Sequence, residues 1–457
     1  MDAIFSNLQS TAVFIIVLSI LIVVHEWGHF ITAKKCGVQV DEFSLGFGPI
    51  LFSKFFNGTT YLIKLFPLGG YVKMAGDDRS KCTGSPEEFF SKSPGQRALI
   101  VFNGPLINFV LAYFSFAAVF LIGFPGMSTQ LAEVKVNGPA YKAGVAIGDK
   151  VVGINDTSVY GWINLETKLE GNSGEPVELK VLRDGKELTF ELTPEIIRKP
   201  NILGENVLFR DLGISNLSNE VGAVSSNLPA QAAGIQEGDR IIRIDAAEIK
   251  SWSDLQQAIK SSQGEFIAFT ILRDGKEIQI NVAPQLIVRK DESGQDQTVR
   301  VVGINPSSDL DYFRFGLKES VAHAWEQLSY ITVLTYKSLF RMVTGAMSAK
   351  ENLTGPVGIF VIVKDAAEAG IAPLLFIMGV ISASLAIFNL LPIVPLDGGH
   401  LLTISIEKII GRKLPQKIEE NFARVGISFI LVLALFAFYN DFDRIGLFKK
   451  IEELFLK

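Results

Sequence analysis

Four long apolar runs constrain this 457-residue chain more than any other feature. They are Thr11 to about Thr32, about Leu99 to Phe124, Ile371 to Leu391, and the shorter Val425 to Tyr439. A stretch of this kind matches the hydrocarbon core of a bilayer, ~30 Å thick, and reads as a membrane span. The first run has no Lys or Arg before it and no small-residue cleavage site after it, so it reads as a span and not as a signal peptide. A hydrophobic fraction of 48%, much of it gathered into these runs, places the chain among membrane proteins.

Basic residues orient the spans. Lys34, Lys35, Lys54, Lys64, Lys73, Lys92 and Arg97 lie between spans one and two, and Arg412, Lys413, Lys417 and Arg424 between spans three and four. Lys and Arg mark cytoplasmic connections, which puts both termini and the long middle region on the outer face. A further stretch, Val321 to Met342, carries Glu326, Lys337 and Arg341 among its apolar residues. It reads as an amphipathic helix lying on a surface. The net charge of −5 and the lack of a basic stripe exclude a general affinity for nucleic acid. Cys36 and Cys82 are too few for a disulfide framework and read as free thiols.

The polar middle region is an internal duplication offset by 90 positions. Pro139-Ala140 returns as Pro229-Ala230, Gly148-Asp149 as Gly238-Asp239, Trp162 as Trp252, and Arg183-Asp184-Gly185-Lys186-Glu187 as Arg273-Asp274-Gly275-Lys276-Glu277. The Asp-Gly pairs sit between alternating runs, which predicts β-hairpins, and the segments from Leu165 and Leu255 read as helix. This pattern looks like the PDZ domains of bacterial membrane and periplasmic proteases. Such domains bind extended peptides by strand addition; a rigid spacer or size filter is the other reading, and both stay open.

Span one ends in His25-Glu26-Trp27-Gly28-His29. Histidines at i and i+4 project from one helix face and can share one Zn²⁺, with Glu26 placed to take a proton from water. Two ordinary helix histidines beside a surface Glu are the plain alternative. The location weighs against it, because ionisable groups at the edge of an apolar helix are costly and usually functional. Catalytic zinc takes a third protein ligand. His323 and His400 remain, but Asp397, in Pro392-Ile393-Val394-Pro395-Leu396-Asp397-Gly398-Gly399, lies just past span three where two prolines break the helix. An Asp before Gly-Gly is ordinarily a turn residue; the need for a third ligand at the same membrane depth favours Asp397. That depth requires spans one and three to run the same way, and so requires that Val321 to Met342 does not cross.

With His25-Glu26-x-x-His29 in the first span and Asn389-x-x-Pro392-x-x-Pro395-Leu396-Asp397-Gly398 at the third, the chain resembles the site-2 protease family, in its bacterial form with tandem PDZ domains. The resemblance implies Zn²⁺ held by His25, His29 and Asp397, Glu26 as general base, and Asn389 positioning substrate or steadying an oxyanion. Asn103-Gly104-Pro105 looks like the family's helix break near the site. Gly46, Gly48, Gly69 and Gly70 fall in segments similar to its membrane-associated β elements, where an edge strand would hold an unwound substrate. The implied fold is a polytopic α-helical membrane protein of four transmembrane helices, with two inserted PDZ-like α+β domains and a membrane-associated β segment. Its expected divisions are an N-terminal membrane domain (1–126), two PDZ-like domains (127–215 and 216–308), surface linker helices (309–370) and a C-terminal membrane domain (371–457). The implied activity is intramembrane cleavage of pre-trimmed single-span proteins, an anti-sigma factor or a signal-peptide remnant, in the bacterial inner membrane. The PDZ copies would exclude bulky outer domains or bind new peptide C-termini. Two rivals stay open. One is a non-catalytic membrane adaptor whose PDZ copies recruit partners, which predicts a missing catalytic residue. The other is a metalloprotease of soluble peptides at the cytoplasmic face, which predicts a site outside the apolar run, whereas His25 directly follows Leu21-Ile22-Val23-Val24.

Overall fold

The computed structural model describes residues 2–79, 82–201, 203–226, 228–290, 296–444 and 446. It divides into two compact units, Met1–Phe124 with Arg314–Lys457, and Pro125–Phe313.

In the first unit, four helices among the described residues are long and apolar enough to cross a membrane: Gln9–Lys35, Pro94–Ile122, Ile371–Asn389 and Gln416–Arg444. The first of them lies within helix α1, Asp2–Lys35. At 1.5 Å rise per residue the shortest, of 19 residues, is about 28 Å long and still spans a hydrocarbon core. Helix α2, Pro94–Ile122, starts five residues before its apolar run. Its start is set by a capping box, in which the Gln96 N–H donates to Ser93 Oγ at 3.3 Å and the Ser93 N–H to Gln96 Oε1 at 3.2 Å, with Pro94 in the first turn. The fourth span also outgrows its apolar run. It begins at Gln416, because the polar residues before Val425 continue the helix. The Val321–Met342 stretch lies inside a 27-residue helix, Leu317–Val343, which is not among the four. That helix buries His323, Ala324 and Leu328 and exposes Trp325, Phe340 and Val343.

Lipid tails are as apolar as Leu, so membrane helices associate through close packing and small residues. Here Phe116 of α2, fully buried, fits against Gly379 of the third span, where a Cβ would stand 2.8 Å from its ring. Val17 and Leu21 of α1 pack against Val363 of the Pro356–Ala369 helix and against Ile377 and Ile381 of the third span.

Between α1 and α2 lie two long strands, β1 (Val40–Phe56) and β2 (Thr59–Met74), antiparallel and joined through Asn57-Gly58. Both turn residues have positive φ (47° and 75°), as a type I′ turn requires. Each strand bends back, so Phe43 pairs with Tyr61 on one side and Val72 on the other, and Leu45 with Ile63 and Gly70. Gly46 (φ 83°) and Gly69 (φ 107°) stand at these bends, in a conformation that L side chains rarely adopt. The doubled sheet leaves Phe47, Leu51, Phe52, Phe55, Phe56 and Phe66 exposed.

The second unit is the duplication made visible. A four-stranded sheet from Lys150–Ile154, Thr157–Ser158, Val177–Arg183 and Lys186–Leu192 is repeated by Arg240–Ile244, Ala247–Glu248, Ile267–Arg273 and Lys276–Val282 in the same strand order. The helices Pro139–Ala143 and Trp162–Leu169 return as Pro229–Ala233 and Trp252–Ser261. The cores repeat too: Val151, Leu165, Leu179 and Leu192 in one copy correspond to Ile241, Leu255, Phe269 and Val282 in the other, all under 4% exposed. Each copy buries an Asp ion-paired to the Arg before its hairpin turn, Asp149 to Arg183 and Asp239 to Arg273, both at 2.6 Å. Asp149 is 1% exposed on its side chain. Burial would raise its pKa, but Arg183 and the Ala146 N–H outweigh this and hold it below the usual carboxylate range.

Candidate active site

Three glycines and two prolines decide how the site closes. Gly28 lets α1 approach α2: a Cβ there would lie 2.4 Å from Asn103 O. Gly104, facing it, passes so close to His29 that a Cβ would lie 2.2 Å from Nε2. Asn103 fastens the contact, with Nδ2 donating to Gly28 O at 3.0 Å and to Thr32 Oγ1. On the other side, Pro392 and Pro395 end the third span and lead into a short loop, and Asp397 opens the helix Asp397–Ile410. Gly398 lets that loop fold against the helix end, since its Cβ would meet Leu390 O at 2.2 Å.

These approaches bring three side chains onto one point. His25 Nε2 is 3.2 Å from His29 Nε2 and 3.2 Å from Asp397 Oδ2; His29 Nε2 is 3.5 Å from the same oxygen. Among the described residues, this is the group of three that could hold a metal ion. A tetrahedral ion with ligands at about 2.0–2.2 Å separates its ligand atoms by roughly 3.3–3.6 Å, and the observed edges of 3.2, 3.2 and 3.5 Å lie at or just below that range. Asp397 Oδ2 is buried and accepts no hydrogen bond from the protein. A carboxylate oxygen left this way is costly unless a cation completes it. The donor set, two imidazoles and one carboxylate, is that of catalytic zinc.

The orientation of the imidazoles is set by α2. His29 Nδ1 lies 2.9 Å from Ile100 O, an obligate acceptor, so Nδ1 carries the proton and Nε2 presents its lone pair to the triangle. His25 Nδ1 faces the side-chain amide of Asn108 at 3.4 Å. Glu26 sits beside the ligands and accepts a hydrogen bond from the Val72 N–H of β2. Gly70 of the same strand approaches so closely that its Cβ would meet Ile22 at 2.9 Å and Glu26 at 3.3 Å. The site therefore lies between the C-terminal half of α1 and the edge of the doubled sheet.

A cavity of about 590 Å³ opens from Glu26, His29, Asp397 and His400 towards Arg79, Arg97 and Glu407. Arg97 Nη2 binds Glu407 Oε2 at 2.8 Å, both side chains 3% exposed, and Arg79 binds the other carboxylate oxygen. Burial would raise the Glu407 pKa, but Arg79, the Leu414 N–H and Arg97 hold it below the usual carboxylate range.

Of the residues singled out from sequence, the structure gathers His25, Glu26, His29 and Asp397, and brings Gly70 against Glu26. Asn389 is the last residue of the third span, and neither it nor Asn103 is among the residues lining the cavity. Gly46 and Gly48 pack against Phe66, and Gly69 against Phe47, at the bends of the sheet. Asn108, Val72 and the Arg79–Glu407–Arg97 cluster escaped the sequence reading. Asn108 had a signal, a polar residue in the middle of an apolar span.

The model of peptidase family M50 matches residues 13–433, a range that includes His25, His29 and Asp397. The chain is 32% identical over 456 residues to "Regulator of sigma-E protease RseP" of Escherichia coli, covering 96% of this chain and 100% of that protein. It is 30% identical over 455 residues to "Regulator of sigma E protease" of Haemophilus influenzae, with 96% and 100% covered. A Vibrio cholerae protein whose name carries the words "zinc metalloprotease" is 32% identical over 453 residues, with 94% and 98% covered. The ligand triangle, the match across both halves of the membrane unit and these near-full-length relatives lead to one conclusion: this chain belongs to peptidase family M50 and is a zinc-dependent membrane protease.

Proposed function

We propose that the chain is an endopeptidase that hydrolyses peptide bonds within the transmembrane segments of single-span proteins already shortened by another protease, of the anti-sigma-factor or signal-peptide-remnant class. The observation that carries this reading is the position of the ligand triangle. It forms within the second half of the Gln9–Lys35 span, with Glu26 beside it and a sheet edge within reach.

His25, His29 and Asp397 hold the metal. Bound zinc supplies Lewis acidity towards a carbonyl oxygen and lowers the pKa of water. Glu26 takes the proton of the attacking water and returns it to the leaving amine nitrogen as the peptide bond breaks. A helical substrate hides its carbonyls in i to i+4 hydrogen bonds and must be unwound first. The Gly70–Met74 edge, bent into place at Gly46, Gly48 and Gly69, pairs with the unwound stretch. Asn389 positions the substrate or steadies the oxyanion, and Asn103 holds α2 at the distance the site needs.

The basic connections support an inner-membrane orientation with the termini and the duplicated unit periplasmic and the site in the cytoplasmic half. The meeting of His25 with Asp397 supports it as well, because both follow the apolar part of their spans. We read the duplicated domains as PDZ-like, a reading supported by their repeated Asp-Gly hairpins. The second copy has a groove of about 700 Å³ lined by Leu228, Trp252, Leu255 and Ile259, which suits a peptide C-terminus. Both copies also enlarge the periplasmic side and exclude substrates with bulky outer domains.

The test pairs wild type with Glu26→Gln, each in detergent with single-span reporters lacking an outer domain, with and without a zinc chelator. A cut inside the reporter's apolar span, located by mass spectrometry and absent in the variant and the chelated sample, is the expected result. Reporters that stay intact while zinc is bound would instead favour a non-catalytic adaptor.

A further inference from the structure

Asn108 is the residue in the site whose chemistry the metal reading leaves unassigned. It lies in the interior of α2, 0% exposed. Its backbone carbonyl accepts from Ser382 Oγ of the third span at 2.8 Å, so it is held by two helices at once. Its side-chain amide meets His25 Nδ1 at 3.4 Å, with the nitrogen of the amide facing the ring. Its oxygen, Oδ1, is buried with no hydrogen-bond partner.

The two ends of an amide have nearly the same shape, and the hydrogen-bond network decides which faces a neighbour. With Nδ2 towards the ring, Nδ1 of His25 accepts and the ring's proton sits on Nε2. In that tautomer Nε2 has no lone pair to offer a metal beside His29 Nε2 and Asp397 Oδ2. With the amide turned over, Oδ1 accepts from Nδ1–H, the orphaned oxygen gains a partner, and Nε2 turns its lone pair to the triangle. His29 gets the same instruction from Ile100 O, a group that can only accept. The two ligands thus differ: one is locked by a backbone carbonyl and the other faces a group that fits either tautomer.

We infer that Asn108 is a positioning residue for zinc: its side-chain oxygen fixes His25 in the tautomer that ligates through Nε2. This rests on the zinc reading of His25, His29 and Asp397. The residue acts through His25 and touches no substrate. Partners of this kind, behind a metal-ligating His, change metal affinity by about 10–100-fold when removed.

The test uses the full chain in detergent, with zinc affinity measured by competition against a chromophoric chelator. The variants are Asn108→Leu, which removes both polar ends, and Asn108→Asp, which can only accept. The inference expects Asn108→Leu to lose roughly 10–100-fold in zinc affinity and Asn108→Asp to stay near wild type. Imidazole ¹⁵N shifts give a second readout in a chain with 4 His, and His25 should bear its proton on Nδ1 in zinc-loaded wild type and in Asn108→Asp. Equal loss in both variants, or wild-type affinity in Asn108→Leu, overturns the role. Should Asn108→Leu fail to fold, Asn108→Asp still decides, because loss of zinc in that folded variant contradicts an acceptor role. Wild type that binds no zinc would sink the metal reading itself, a different outcome from wild type that binds it as both variants do.

Discussion

Replacing Gly104 with alanine tests the geometry of the metal centre directly. The added Cβ would stand 2.2 Å from His29 Nε2, whereas ordinary contact begins near 3.4 Å, so the imidazole or α2 must retreat by about 1.2 Å. Zinc sites keep their ligand distances within about 0.2 Å, so a shift of this size removes His29 as a ligand. Alanine is a better helix former than glycine by about 1 kcal/mol, which works in favour of folding. The expectation is a folded protein with zinc affinity reduced by 100-fold or more and matching loss of cleavage. Gly95 is the control: it lies in the same helix, and a Cβ there meets nothing within 4 Å, so Gly95→Ala should leave both properties unchanged. Zinc per protein by mass spectrometry, with the melting profile to confirm folding, reads the result. Wild-type zinc affinity in folded Gly104→Ala would refute the closeness of α2 to the ligand.

Three further outcomes follow from the same geometry. Glu407→Gln leaves the buried Arg97, 3% exposed, without its carboxylate, while Arg79 keeps Glu419 at 3.1 Å, and should destabilise the protein by about 3 kcal/mol or more; Arg97→Met with Glu407→Leu should recover much of that in thermal unfolding. Asp149→Asn should cost about 2 kcal/mol at neutral pH through loss of the charged bonds to Arg183. Because the folded pKa of Asp149 is lowered, its contribution is complete above the unfolded value of about 3.9 and vanishes as pH falls through the folded value, so variant and wild type should converge only in strong acid. Gly426→Ala places a Cβ 1.6 Å from Val394 O in the loop before Asp397, and should lower zinc affinity by displacing that loop, measured as for Gly104→Ala.

The features legible in the sequence were those that repeat or that obey a local rule. The 90-residue offset fixed the correspondence of strands because turn chemistry at Asp184-Gly185 and Asp274-Gly275 is local. The i, i+4 histidines were equally local, and Asp397 was found by asking what a third ligand needs. The bend of β1 and β2 was not legible. Phe43 pairs on both sides, and no periodicity in one strand announces a second partner. Helix ends were missed where polar residues extend an apolar core, as at Gln416 and Pro94. The Arg97–Glu407 pair joins residues 310 apart, a separation at which sequence spacing carries no information. Asn108 was visible as a polar residue in a span, but its partner could only come from the packing of α2 on α1.

The metal centre has a consequence for how the protein is made. Residues His29 and Asp397 are separated by 368 positions, and everything between them must be synthesised before the third ligand exists. At about 5–20 residues per second this takes roughly 20–70 s. During that interval the first two spans can enter the bilayer carrying His25, Glu26 and His29 but not Asp397. On the zinc reading of these residues, a nascent chain then holds two of its three metal ligands, and the centre is complete only when Asp397 follows the third span.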